Sequence, residues 1–190
     1  NTYNCPIVSG YADVVHSAVD PEHADGIPLD RPSITFDDHH LLRKTCGAYL
    51  SSLGVGPSTI RRAVALAIEA QRQYGDQVRR EGSRILAEAL RDGRRVIVLA
   101  GRPYHLDGLV NHSLPQLLAD MGVDVVTEDS VPLEPGDALD DPYVLTQWMY
   151  VNRLYHAARW VAEHDGVELV QVNSFGCGPD AVAVDEVSAI

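Results

Sequence analysis

The sequence predicts an α/β fold: an open, mainly parallel sheet with helices on both faces, of the Rossmann or flavodoxin-like type. From residue 94, short apolar runs alternate with longer segments of helical period in the order β-α-β-α-β-α. This alternation is typical of parallel strands joined by right-handed crossovers. The first run ends at Ala100 and is continuously apolar, as in a strand buried on both faces.

The first third of the chain predicts a loop followed by helices. Residues 1–31 are rich in Pro, Gly, Asp and His, which indicates a loop with a short helix near 10–19. A short β-type run follows at 33–36. This part therefore has no strand pattern beyond that run.

Apolar stripes at helical spacing predict two helices before the sheet, over 38–54 and 57–91. Asp37 or Asp38 is placed to cap the first helix. The second is long, and Gly75 or Gly82 is a candidate position for a break.

The α/β part predicts two further strands and three more helices. The strands are expected at 123–126 and 168–172. The helices are expected at 108–121, at 142–164 and from Pro179 onward. We therefore predict two domains, a loop and helical segment over 1–93 and a parallel α/β domain over 94–190. The sequence starts in the middle of a predicted loop and stops inside a helical pattern, so we expect a fragment of a longer protein.

Charge excludes two classes of function. The chain has 15 basic and 27 acidic side chains, a formal charge of -12. Such a surface repels phosphate backbones and anionic lipid, so we expect no nucleic acid and no membrane as partners. Three cysteines are too few for a disulfide framework, which favours the reducing cytoplasm.

Ligands of open parallel sheets bind outside the carboxyl ends of the strands. Three loops follow predicted strands here, at 101–107, 127–130 and 173–178. We expect all three at one edge of the sheet. Arg102 and His105 in the first loop are candidates for binding an anionic group or cofactor, although Arg102 is equally suited to pair with Glu128 or Asp129.

Cys177 lies between Gly176 and Gly178 at a turn from a strand into a helix. The glycines let backbone approach a ligand, and the free N–H groups of a helix start favour a thiolate. This setting suits a metal ligand or a nucleophile, and an incidental Cys in a tight turn is an equal alternative. Cys5, which precedes a Pro in a loop, is a second candidate ligand, and an ordinary loop Cys near a terminus is at least an equal alternative.

Other ligand-type residues favour structural roles. Cys46 lies on an apolar helical stripe, where a Cys behaves as a small buried hydrophobe. His105, Asp107 and His112 lack the i, i+4 spacing of two helical His ligands, which favours a polar loop with a helix cap. The chain has no phosphate-binding Gly loop, no nucleophile elbow and no Cys-x-x-Cys pair.

Four stretches are distinctive in combination: Asn4–Val8, Val98–His105, Thr127–Ser130 and Asn173–Val182. Together they resemble the activator-related proteins of 2-hydroxyacyl-CoA dehydratases, the acyl-CoA dehydratase activase family. In this family of anaerobic bacteria, an ATPase activator precedes a dehydratase-like region, and the resemblance assigns this chain to the latter. It implies an α/β module that carries a 4Fe–4S cluster on loop cysteines, with Cys5 and Cys177 as ligands.

The resemblance implies an iron–sulfur redox module that receives electrons from the ATP-driven activator domain of the same polypeptide. If enzymatic, the chain is part of an ATP-dependent 2-hydroxyacyl-CoA dehydratase or activase-type reductive system, with an acyl-CoA or another small molecule as partner. Two thiolates do not complete a cluster, so we expect it to be incomplete or absent in this chain alone. The alternatives are a docking module that binds the activator without a cluster, and a small-molecule domain that uses Arg102 and His105.

Overall fold

The computed structural model describes residues 5–36, 38–132, 149–174 and 176–190. The chain divides into two compact units, one that extends to Tyr74 and one that begins at Gly75. None of the helices in these ranges is long and apolar enough to cross a membrane.

The first unit is helical in its described part. Its helices are α1 (Pro6–Val19), α2 (Pro21–Asp25), α3 (His39–Ser52) and the first part of α4 (Pro57–Arg91). The expected loop over 1–31 is wrong in extent, because Pro6 at the first helical position starts α1 well before residue 10. The expected β-type run at 33–36 is not a strand. An extended segment needs a partner strand, and the described part of this unit contains none.

Helix α3 begins at the predicted cap. The carboxylate of Asp38 accepts hydrogen bonds from the backbone N–H groups of His40 and Leu41, at 2.8 and 2.9 Å. These bonds satisfy donors that have no partner inside the helix, and the bond from Leu41 is the main cause that lowers the pKa of Asp38.

Helix α4 runs without a break through both Gly75 and Gly82. Gly82 has a packing role instead. A Cβ there would lie 2.3 Å from the Cβ of Ser130, so a side chain would push the helix away from the segment that follows the second strand. The helix thus approaches the sheet closely at this point.

In its described residues the second unit is a three-stranded parallel sheet flanked by helices, which confirms the predicted fold class. Its strands are β1 (Val96–Ala100), β2 (Asp124–Thr127) and β3 (Val167–Gln171), in the order β2-β1-β3. Leu99 pairs with Thr127 on one side and Val170 on the other. Its helices after α4 are α5 (Leu114–Asp120), α6 (Met149–Ala162) and α7 (Gly178–Ala189).

Helix α5 is shorter than the predicted helix over 108–121. His112 and Ser113 have positive φ angles of 53° and 59°, and a right-handed helix cannot pass through two such residues. The helix therefore begins only at Leu114, after a 3-10 turn over Pro103–Leu106. The part of the predicted third helix over 142–148 lies outside the described residues.

Two apolar clusters hold the sheet to its helices. The first joins α4 and α6 to all three strands through Leu86, Ala89, Val96, Val98, Val126, Ala157 and Val167. The second joins the end of β1 to α6 and α7 through Ala100, Val151, Leu154, Tyr155 and Ala183. Because both clusters include α6, that helix is fixed along the sheet and its first turn is held near the carboxyl end of β1.

Candidate functional site

The chain leaves the carboxyl ends of the three strands at one edge of the sheet, as predicted. Because the strands are parallel and in register, the segments after Ala100, Thr127 and Gln171 follow neighbouring strand ends. At this edge the backbone of Gly101 lies very close to Val172 and His105. A Cβ at this position would lie 2.6 Å from the carbonyl oxygen of Val172 and 2.8 Å from Nδ1 of His105.

Arg102 is the centre of a buried polar cluster at this edge. Its guanidinium contacts both carboxylate oxygens of Asp180, at 2.9 and 3.3 Å, and the side chains of this pair are only 10% and 5% exposed. The same Nη2 donates to Sγ of Cys177 at 2.6 Å and to the hydroxyl of Tyr150 at 3.2 Å. One guanidinium therefore links the segments after β1 and β3 to α6 and α7.

The electrostatics of this cluster favour the charged ion pair. Burial alone would raise the pKa of Asp180, but hydrogen bonds from Arg102, Tyr150 and the backbone N–H of Ser174 outweigh it and lower that pKa. The bond to Asp180 is likewise the main cause that raises the pKa of Arg102. The pKa of Tyr150 is raised, first by burial and then by its bond to Asp180. At neutral pH the cluster thus holds one carboxylate, one guanidinium and one neutral phenol.

A second polar group lies beside this cluster. Nδ1 of His105 accepts the backbone N–H of Arg102 at 3.1 Å, and Nε2 lies 3.2 Å from Oγ of Ser174. The hydroxyl of Tyr104 lies 2.6 Å from the same Oγ. Burial lowers the pKa of His105, which therefore stays neutral at pH 7. With Nδ1 accepting that bond, the ring proton is on Nε2 and can be donated to Oγ of Ser174.

Glu128 is the third polar feature of the edge. Its side chain is 1% exposed and lies 3.3 Å from Nη2 of Arg153. Its Oε2 has no hydrogen-bond partner among the described residues. Burial raises the pKa of this carboxyl to about 7, with Arg153 opposing the effect. The predicted loop 127–130 included this residue only as one of two possible partners of Arg102, and the structure pairs it with Arg153 instead.

The structure brings together most of the predicted site residues. Arg102, His105, Gly176, Cys177 and Gly178 all lie at the carboxyl edge of the second unit. Cys177 occupies the position just before α7, and Gly176 has a φ of 75°, which glycine tolerates readily.

Cys5 directly precedes α1 in the first unit, so its predicted partnership with Cys177 stays a prediction. Cys46 on α3 is half-buried rather than fully buried. Asp107 accepts the backbone N–H of Leu109 at 2.8 Å, as expected of a polar loop.

Sequence reasoning missed the residues that hold Arg102 and Cys177 in place. Asp180 and Tyr150 are 78 and 48 residues from Arg102 in the chain, and no spacing rule connects them. One signal was available for Asp180, since it lies three residues after Cys177 in the first turn of α7, at the carboxyl edge.

The donor chemistry at this edge fits one ligand of an iron–sulfur cluster. Cys177 supplies a soft sulfur, the ligand type that such clusters require. A Cβ added to Gly176 or Gly178 would have no neighbour within 4 Å, so the turn leaves open space on both sides. Within the described ranges, no three His, Cys, Asp or Glu side chains form a group that could hold a metal ion. The remaining ligands of a cluster would therefore come from elsewhere.

Residues 1–131 match the family described as CoA enzyme activase uncharacterised domain (DUF2229). The chain belongs to this family. The match covers more than half of the 190 residues and confirms the family-level resemblance. Within this CoA enzyme activase domain, the matched part includes Arg102, His105 and Glu128, whereas Cys177 and Asp180 follow it. Comparison with curated proteins and with solved structures gave no match.

Proposed function

We propose that this activase-family chain is an iron–sulfur redox module in which Cys177 is one ligand of a 4Fe–4S cluster. The observation that supports the proposal most strongly is the bond from the buried guanidinium of Arg102 to the sulfur of Cys177. A buried ion pair thus orients a soft ligand at the sheet edge where ligands of open α/β folds bind. When bound, the cluster would supply one-electron storage.

The residues of the chain have distinct roles in this proposal. Cys177 binds iron, Arg102 and Asp180 orient its sulfur, and Cys5 contributes a second thiolate. The other ligands come from outside this chain. Electrons come from an ATP-hydrolysing activator domain in the same polypeptide, within an ATP-dependent 2-hydroxyacyl-CoA dehydratase or activase-type system. Such a module belongs in the cytoplasm of an anaerobic bacterium.

The test is iron and acid-labile sulfide analysis of the full-length protein, purified without oxygen. We expect both in the wild-type protein, together with visible absorbance from the cluster. Cys177→Ser should lose iron and absorbance, because a hydroxyl is a poor ligand for this iron. Cys46→Ala, a half-buried thiol on α3, is the matched control and should retain both.

The alternative is a docking module that binds the activator domain and holds no cluster. Full iron and sulfide in Cys177→Ser would exclude our assignment of Cys177. An iron-free wild-type protein in which cross-linking joins this region to the activator domain would establish the docking function.

A further inference from the structure

The order of the strands reverses at β1, and two hydroxyl groups lie together at its carboxyl end. The strand order is β2-β1-β3, so the chain passes from β1 to a neighbour on one side and later to a neighbour on the other. In open α/β sheets, ligands bind outside the carboxyl ends of the strands at such a reversal. The segments after β1 and β3 contribute Tyr104 and Ser174 there, and their hydroxyl oxygens are 2.6 Å apart.

The imidazole of His105 decides how these hydroxyls use their hydrogens. His105 is 5% exposed, and the backbone N–H of Arg102 points at its Nδ1 from 3.1 Å. Nδ1 therefore carries a lone pair, and the ring proton is on Nε2. Because Nε2 lies 3.2 Å from Oγ of Ser174, the serine oxygen accepts a hydrogen bond from the buried ring.

One hydroxyl hydrogen is then left without an acceptor. If Ser174 donates to Tyr104, the phenol hydrogen remains. If Tyr104 donates instead, the serine oxygen accepts two hydrogen bonds and the serine hydrogen remains. Among the described residues neither hydroxyl has a second acceptor within hydrogen-bond distance. Since Tyr104 is 45% exposed, the remaining hydrogen is accessible to a ligand.

The charges at this edge favour a neutral acceptor over an anion. The guanidinium of Arg102 is paired with Asp180, and burial lowers the pKa of His105 and keeps it neutral at pH 7. The chain as a whole has a formal charge of -12, which repels anions. A carbonyl oxygen needs only a hydrogen-bond donor, whereas a carboxylate or phosphate would lose hydration without gaining an unpaired cation.

We propose that Tyr104 and Ser174 bind the carbonyl oxygen of a neutral acyl compound at the carboxyl edge of the sheet. His105 is the positioning residue, because its Nε2–H fixes the orientation of the serine oxygen. Arg102 contacts the ligand in no step of this binding and holds His105 through its backbone N–H. The site goes beyond the proposed function, since it requires no cluster.

The test is saturation-transfer difference nuclear magnetic resonance of the full-length protein with N,N-dimethylacetamide. This probe has one neutral carbonyl group and no hydrogen to donate. We expect Tyr104→Phe/Ser174→Ala to bind it about tenfold more weakly than wild type, because both hydroxyl donors are lost. Tyr74→Phe/Ser188→Ala is the matched control and should bind like wild type. It removes one exposed tyrosine hydroxyl and one exposed serine hydroxyl elsewhere.

The single variants and a charged probe refine the assignment. Tyr104→Phe and Ser174→Ala each keep one hydroxyl hydrogen, so each should weaken binding by only about twofold to fivefold. Sodium acetate presents the same kind of oxygen with a negative charge and should bind wild type more weakly than the amide. Circular dichroism checks that each variant folds, and the two single variants carry the test if the double variant does not.

Each contrary result has a distinct meaning. Wild-type affinity for the amide in the folded double variant, or in both single variants, would overturn the inference. An equal loss in Tyr74→Phe/Ser188→Ala would overturn it as well, because binding would then not depend on this site. Acetate that binds as tightly as the amide would overturn the assignment of a neutral ligand. An iron-free wild-type protein that binds the amide through these hydroxyls would overturn only the proposed function.

Discussion

Glu128 should make the folding stability of the second unit depend on pH between about 4.5 and 7. Its side chain is 1% exposed, and burial raises the pKa of its carboxyl from 4.5 to about 7. Because one pKa unit corresponds to about 1.4 kcal/mol, this rise corresponds to roughly 3 kcal/mol. The attraction of Arg153 is already included in that pKa, since it is among the causes that oppose the rise.

The direction of the effect follows from which state holds the proton. Below about pH 4.5 the carboxyl is protonated in both states, and the folded protein carries no penalty. Between pH 4.5 and 7 the unfolded chain ionises while the folded protein does not, so stability falls as pH rises. Above pH 7 the buried carboxylate is ionised and the full penalty remains.

Glu128→Gln removes this penalty and keeps an oxygen that can accept the bond from Arg153. We expect the variant to be more stable than wild type by up to roughly 3 kcal/mol at pH 8, and by less than about 1 kcal/mol at pH 5. Glu163→Gln, on an exposed residue, is the control.

The assay is urea unfolding at several pH values, followed by tryptophan fluorescence. Trp160 lies on α6 of the second unit, so its signal reports on that unit. A wild-type-to-variant difference that is the same at pH 5 and pH 8 would refute the reasoning. A variant less stable than wild type at pH 8 would show that attraction to Arg153 outweighs the burial of the charge.

Two further substitutions test the packing of α4 and the cap of α3. Gly82→Ala should destabilise the protein by about 1–3 kcal/mol in urea unfolding, because its Cβ would collide with Ser130. Gly75→Ala in the same helix is the control, because its Cβ would meet only the flexible end of Arg79. It should stabilise the protein by about 0.5–1 kcal/mol. Equal effects of Gly82→Ala and Gly75→Ala would contradict the close contact between Gly82 and Ser130. Asp38→Ala should lower helical circular dichroism and the thermal midpoint, whereas Asp38→Asn, which still accepts backbone N–H bonds, should retain most of both. A wild-type midpoint in Asp38→Ala would show that the cap is dispensable.

The sequence alone predicted the class of the fold, because hydrophobic period and chain handedness are local properties. The alternation after residue 94 determined parallel strands, and parallel strands place the segments after Ala100, Thr127 and Gln171 at one edge. The cap at Asp38 could also be predicted from the sequence, because a capping residue and its helix are adjacent in the chain. Where local pattern misled, as at 108–121, two left-handed residues after a 3-10 turn delayed the helix.

Only the tertiary structure decided which side chains meet at that edge. The sequence selected Arg102 and Cys177 separately, but their contact depends on β1 and β3 being neighbours in the sheet. The role of Asp180 depends on the packing of α7, and the raised pKa of Glu128 depends on the burial of its side chain beside Arg153 of α6. Burial and hydrogen-bond partners depend on how distant segments are arranged in space. The periodicity of the sequence predicts local secondary structure and does not predict that arrangement.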